Sequence, residues 1–216
     1  MRSLPVVPAI AELSQGNDEL YTMQCEAEGL IMDLKQAIYT RRAVREFASE
    51  PIDEKTIRQL IDAAIQAPSA VNEQAWSFSV VRDKDVLRRI SDQAKAYILN
   101  SSGADLLSHN LHGLADPGHD IFYHAPVLVV ISSITESRWA VENCALAAEN
   151  LMLAACAAGL GSCFIGLAQA WLATPEGKTL IEVPVSYQPV APIILGHPKF
   201  LPPPVARRQP ELRWIG

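Results

Sequence analysis

The residues best suited to chemistry stand in the stretch Ala67-Pro68-Ser69-Ala70-Val71-Asn72-Glu73-Gln74-Ala75-Trp76-Ser77-Phe78. Ser69, Asn72 and Gln74 offer donors and acceptors within six positions, a set that suits the polar edge of a planar heterocycle better than a phosphate or a metal. The same composition also makes an ordinary helix-to-strand turn. Upstream, Arg41, Arg42 and Arg45 concentrate positive charge. A helix C-terminus favours a cation by about 0.3 to 1 kcal/mol, and three arginines exceed that need. A phosphate monoester would use them, at about 1.5 to 3 kcal/mol per charge-assisted hydrogen bond.

The elements that must position these residues follow from periodicity. Ile31, Leu34 and Ile38 are spaced for a helix that ends at the arginine cluster. Asp53 can cap a second helix, whose Ile57, Leu60, Ile61, Ala64 and Ile65 form one apolar stripe that stops before Pro68. Trp76 to Val81 reads as a strand, with Trp76 and Phe78 expected in the core. Asp83 opens a helix with Val86, Leu87, Ile90 and Ala94 inward, closing near Asn100. Residues 101 to 120 are polar and irregular, long enough for a lid or a substrate-facing loop. His109, His112, His119 and His124 fall in or beside it without a supporting cysteine or carboxylate pattern, so no metal site is expected.

Ala125 to Ser132 is a continuous apolar run, expected as a strand buried on both faces. A helix from about Ser137 to Ala158 is apolar nearly all round and must be covered on most sides. The glycines of Gly159-Leu160-Gly161-Ser162-Cys163-Phe164-Ile165-Gly166 follow a helix and lead into a strand, the reverse of the order in a dinucleotide fingerprint. A short helix is expected over Pro175 to Ile181 and a last buried strand over Val190 to Leu195. Five prolines between Pro198 and Pro210 make the tail extended.

Taken together, Arg41-Arg42-Ala43-Val44-Arg45-Glu46-Phe47 and the 67–78 stretch resemble the two signatures of the nitroreductase family of FMN-dependent oxidoreductases. The resemblance runs from about Leu34 to Arg208; Ala43 stands where the family often has Ser, and Ala75 where it often has Pro. It implies an α+β domain with a mainly antiparallel or mixed sheet flanked by helices, in an intertwined homodimer with two FMN sites at the interface. It further implies a phosphate clamp from Arg41, Arg42, Arg45, Arg207 and Arg208, and an isoalloxazine edge held by Ser69, Asn72, Gln74 and Asn100. Ile165 and Gly166 would lie at the flavin N5, and Pro68 to Ala70 would reach a flavin whose phosphate the other subunit holds. Gly103 falls where some members carry a Lys near the flavin.

The activity implied is hydride uptake from NAD(P)H and reduction of a small electron-poor acceptor, nitroaromatic or quinone, by a ping-pong route in which the protein supplies no catalytic residue. Relatives with this fold also dehalogenate, oxidise azolines or cleave their flavin, and a flavin-sequestering dimer without turnover is a further alternative.

With 216 residues, 49% of them hydrophobic, the chain can bury a full domain core. We divide it into an arm over residues 1–31 and an FMN-binding domain over 32–216 that includes the tail. A formal charge of -6 argues against a nucleic-acid binder. Cys25, Cys144, Cys156 and Cys163 lack CxxC spacing, which fits a reducing cytoplasm. The start is shorter than a usual signal peptide. The apolar region from Leu151 to Ile165 falls short of the roughly 20 residues a membrane span needs.

Overall fold

The computed structural model describes residues 32–101 and 113–216. The arm over 1–31, with Ile31, and the loop positions Gly103, His109 and His112 lie outside the described residues.

Helix α1 (Leu34–Thr40) is capped by Asp33, whose carboxylate accepts from the backbone N–H of Lys35 and Gln36. Arg41 follows in extended backbone. Ala37 faces the protein while Leu34 and Ile38, two of the residues whose spacing marks the helix, are 68% and 53% exposed. A seven-residue helix packing on another through one small side chain leaves its larger residues open.

Helix α2 (Glu54–Ala64) starts at Asp53, which accepts from both the backbone N–H and the hydroxyl of Thr56. It buries Ile57, Leu60 and Ala64. A short 3-10 turn (Ala70–Asn72) leads to strand β1 (Trp76–Val81). Then come helix α3 (Lys84–Ser101), strand β2 (Val127–Ser133), helix α4 (Ala140–Ala157), strand β3 (Gly161–Phe164), helix α5 (Gly166–Leu172), helix α6 (Pro175–Leu180) and strand β4 (Gln188–Gly196).

The four strands form one sheet in the order β1-β2-β4-β3, each neighbouring pair antiparallel. This is the α+β architecture. Alternation of side chains across the sheet sends Val127, Val129 and Ile131 of β2 to one face, against α2 and α4. Leu128 and Val130 go to the other, packed with Leu87, Ile90 and Ala94 of α3 and Trp171 and Leu172 of α5. Both faces are covered, which is why β2 reads as an unbroken apolar run. At about 1.5 to 3 kcal/mol per fully buried aliphatic side chain, these two layers are the main stabilising contribution.

Helix α4 buries Cys144, Ala147, Ala148, Leu151, Met152 and Ala155. Its other side leaves Val141 and Leu146 exposed, so the single chain covers only part of a helix that is apolar on nearly every side.

Candidate functional site

The arginine segment is laid along the β3 edge of the sheet. Ala43 bridges Ser162 in parallel, and the Val44 N–H donates to the Ser162 carbonyl at 3.0 Å. The far end is tied to the chain leaving β4, where the Ala48 N–H donates to the His197 carbonyl and the Lys199 N–H to that of Glu46. Val44 points inward and is buried. Its approach depends on a glycine, because a Cβ on Gly161 would stand 2.8 Å from the Val44 Cβ. Ala43 packs against the same core as Val44, while Arg41 is partly exposed and Arg45 exposed. Arg41 and Arg45 both act on the buried Cys163, drawing its thiol back from the upward push of burial. Two cationic groups therefore flank β3.

The three arginines are not equivalent. Arg41 is partly exposed, with Nε 3.6 Å from the Glu149 carboxylate of α4. Arg42 turns back instead, its Nη1 donating to the carbonyls of Tyr39 and Arg41 at 2.8 Å, while its buried Nε has no partner among the described residues. Arg45 is exposed and lies over the Tyr123 ring at 5.8 Å. It borders a cavity of about 330 Å³ that also draws on Asp116, His119, Asp120, His124 and Lys199. The loop below that cavity is pinned from α3, where buried Lys95 donates to the His119 carbonyl and the Ser91 hydroxyl accepts from the Ile121 N–H. Arg207 and Arg208 are exposed in the extended tail.

Ile165 and Gly166 follow β3 directly. The Ile165 N–H is committed to the Pro192 carbonyl at 2.8 Å. Gly166 is the first residue of α5, so its N–H has no intrahelical acceptor, and open space surrounds the position of its missing Cβ. Of the two, Gly166 carries the available donor. Asn100 is exposed in the last turn of α3.

The 69–74 loop sits at the opposite, β1 edge. Its polar side chains bond to one another: the Gln74 N–H donates to Ser69 Oγ at 2.9 Å and Gln74 Nε2 to Asn72 Oδ1 at 2.7 Å. Gln74 Oε1 and Asn72 Nδ2 then remain as an acceptor beside a donor, the complement of a lactam edge. Val71, Asn72 and Gln74 all have positive φ. Such conformations cost about 1 to 3 kcal/mol each and persist only where surroundings impose them. The imposing groups are Asn143, Glu73 and Thr135. Asn143 accepts from the Ala70 N–H and donates to Glu73, Thr135 donates to the other Glu73 oxygen, and Trp76 donates its indole N–H to the Asn143 carbonyl. Trp76 is thus half-buried, packed like Phe78 against the core between α2, α4 and the sheet and anchored by its indole.

Sequence reasoning missed Glu73, Thr135 and Asn143. A usable signal existed, since Asn143 is the polar member of the stripe that continues with Ala147, Leu151 and Ala155. Neither buried thiol is poised to react: burial pushes Cys144 up to about 12 and raises Cys163 as well. Among the described residues no group of His, Cys, Asp and Glu could hold a metal ion. No helix there is long and apolar enough to cross a membrane.

A model of the Nitroreductase family matches residues 38–197, and the chain belongs to that family. Its fold is that of a nitroreductase with bound FMN from Bacteroides fragilis, at TM-score 0.76 and 24% identity over 86% of this chain and 100% of that one. Curated relatives match locally. An NADH dehydrogenase of Thermus thermophilus is 38% identical over 69 residues, 32% of this chain and 34% of that protein. An iodotyrosine deiodinase of Haliscomenobacter hydrossis is 31% identical over 90 residues, 42% of this chain and 40% of that protein. The chain spans well under half the length of the curated relatives it matches.

Proposed function

We propose that this protein is an FMN-dependent oxidoreductase that takes hydride from NAD(P)H and reduces a small nitroaromatic, quinone or similarly electron-poor acceptor by a ping-pong route. The observation that carries the reading is the pairing of Ala43 with Ser162, which sets Arg41 and Arg45 beside the strand that delivers Gly166. A phosphate and the edge of a flavin need those two features within one ligand's length. The donor set fits the cofactor: Arg41 and the unpartnered Nε of Arg42 suit a phosphate, and the Asn72 and Gln74 amides suit the flavin's lactam edge.

FMN supplies the hydride chemistry when bound. The chain's own groups would hold it: Arg41, Arg45 and Arg208 would neutralise the phosphate, the Gly166 N–H would serve the ring, and Ser69, Asn72, Gln74 and Asn100 would hold the pyrimidine side. Arg207 and Arg42 contribute charge nearby.

The site is completed by a second copy of the chain. β1 and β3 are opposite edges of the sheet, three inter-strand steps of about 4.8 Å apart, or roughly 14 Å. We read the loop holding Pro68, Ser69 and Ala70, at the edge opposite the arginine segment, as serving the flavin of the other subunit. Exposed Leu34, Ile38 and Tyr39 of α1, Val141 and Leu146 of α4, and Leu212, Trp214 and Ile215 of the tail supply the apolar surface of such a dimer. The division into an arm and a domain over 32–216, and a cytoplasmic setting, belong to the same reading.

The experiment is the visible spectrum of the purified protein, followed by anaerobic NADH or NADPH. Flavin absorbance that bleaches and returns with a nitroaromatic or quinone supports the reading; a colourless protein that takes up no FMN overturns it. A second reading, reductive dehalogenation, is favoured by the 90-residue match to the deiodinase. Iodide release from an iodotyrosine, with no nitroaromatic turnover, would select it.

A further inference from the structure

Resting on the flavin reading, we propose that Asn143 and Glu73 are positioning residues that set the ligand-facing geometry of the 69–74 loop through an amide–carboxylate pair of fixed polarity. Asn143 lies on α4, 3% exposed. Its Oδ1 accepts from the Ala70 N–H at 2.9 Å, its Nδ2 donates to Glu73 Oε2 at 3.1 Å, and its backbone carbonyl accepts from Trp76 Nε1 at 3.1 Å. One helical residue thus holds the beginning, the middle and the end of the loop. Glu73 Oε1 accepts in turn from the Thr135 hydroxyl at 2.9 Å. Both carboxylate oxygens are engaged inside the protein, so Glu73 acts on the ligand only through the backbone it holds.

The chemistry of position 143 is narrow. The side chain must accept from one backbone group and donate to a carboxylate, which an amide does and neither a carboxylate nor an apolar group can. The substitution Asn143→Asp keeps the acceptor for the Ala70 N–H but sets two carboxylates against each other. The polarity can, however, be reversed as a unit. When Glu73→Gln is added, the new amide donates to the new carboxylate while its carbonyl still accepts from Thr135.

The test compares full-length wild type, Asn143→Asp and the double variant Asn143→Asp/Glu73→Gln. The readouts are FMN dissociation constant by flavin fluorescence, midpoint potential of the bound flavin, and thermal midpoint. Asn143→Asp is expected to weaken FMN binding by roughly tenfold or more, and the double variant to return within about threefold of wild type. The proposal is overturned if Asn143→Asp binds FMN as wild type does, or if the double variant stays as weak as the single one. It is equally overturned if only the thermal midpoint moves while FMN affinity and potential hold, since that is a merely structural role. If Asn143→Asp does not fold, the double variant decides: a folded, FMN-binding double variant supports the pair, and an unfolded one overturns it. A wild type that binds no FMN overturns the flavin reading itself, and this inference with it.

Discussion

At the β3 edge the arginine segment is fixed by main-chain hydrogen bonds, Val44 to Ser162 and Ala48 to His197, whereas at the β1 edge the 69–74 loop hangs on the side chains of Asn143, Glu73 and Thr135. The difference shows in the backbone. Val71, Asn72 and Gln74 occupy left-handed conformations at the side-chain-held edge, while Arg41 continues from α1 in extended backbone at the other. Main-chain pairing tolerates almost any side chain that faces solvent, so the β3 edge can vary its arginines without losing its shape. The β1 edge has less freedom: beside the main-chain bonds of Asn72 to Ser69 and Glu73 to Ala70, its loop depends on particular side-chain bonds.

The largest effect is expected where that tolerance fails. Gly161→Val places a side chain on the atoms of Val44; overpacking of this kind costs about 1 to 3 kcal/mol or more. Denaturant melts should show the loss, and FMN retention should fall with it as the arginine segment is pushed off the edge. Retained stability and retained flavin would show that the edge can slide.

Arg41→Ala and Arg208→Ala come next. Each should leave the melt unchanged and weaken FMN by roughly 10- to 150-fold, the value of one charge-assisted hydrogen bond. Fluorescence titration measures it, and unchanged affinity in both variants would remove the phosphate clamp.

Thr135→Val sharpens the other side of the comparison. It deletes one donor to Glu73 while Asn143 keeps the second, for an expected loss of about 1 kcal/mol. The same titration should show a several-fold weaker site.

Asp53→Ala, which removes the cap of α2, should have the smallest effect on the site. The Thr56 backbone N–H and hydroxyl hold the Asp53 carboxyl below its ordinary 3.8. The unfolded chain binds that proton more readily than the folded one, so the cap stabilises α2 above the ordinary value and is lost as pH falls through the lowered one. Thermal midpoints of wild type and variant should therefore differ near neutral pH and converge in acid.

Much of the fold was legible because it is written locally. Ile57, Leu60 and Ala64 of the α2 stripe and the unbroken run of β2 report their own burial over a few residues, and Asp53 marks the helix start, while Ile65 at the end of the stripe is exposed. Helix α5 was not legible: Gly166 to Leu172 is under two turns, too short for a periodic pattern to separate from the glycine-rich stretch before it. For α1 the spacing of Leu34 and Ile38 marked the helix but not its buried side, since spacing says which residues share a face, not which face the protein covers. Lys95 is buried on the α3 stripe with Leu87, Ile90 and Ala94, where its charge gives no hint of burial. Its ammonium is met there by the Asp92 carboxylate of the same helix and by the His119 carbonyl.

For the candidate site, the residue types were readable and their arrangement was not. Asn143 and Glu73 are 70 positions apart, and no local pattern announces a bond of that reach. The opposition of the two edges is equally silent in the chain, since it follows from β4 inserting between β2 and β3.

That insertion also fixes an order of assembly. Among the described residues, β4 is the strand that ties β3 into the sheet, and it is the last strand along the chain. A growing polypeptide can pair β1 with β2 early, but β3, with the arginine segment bridged to it, must wait to join the sheet until Gln188 to Gly196 has left the ribosome. Such late, long-range closure is slow and leaves apolar edges open meanwhile. Synthesis paused before residue 188 should therefore leave a protease-sensitive intermediate, with β1 and β2 paired and the β3 edge still unmade.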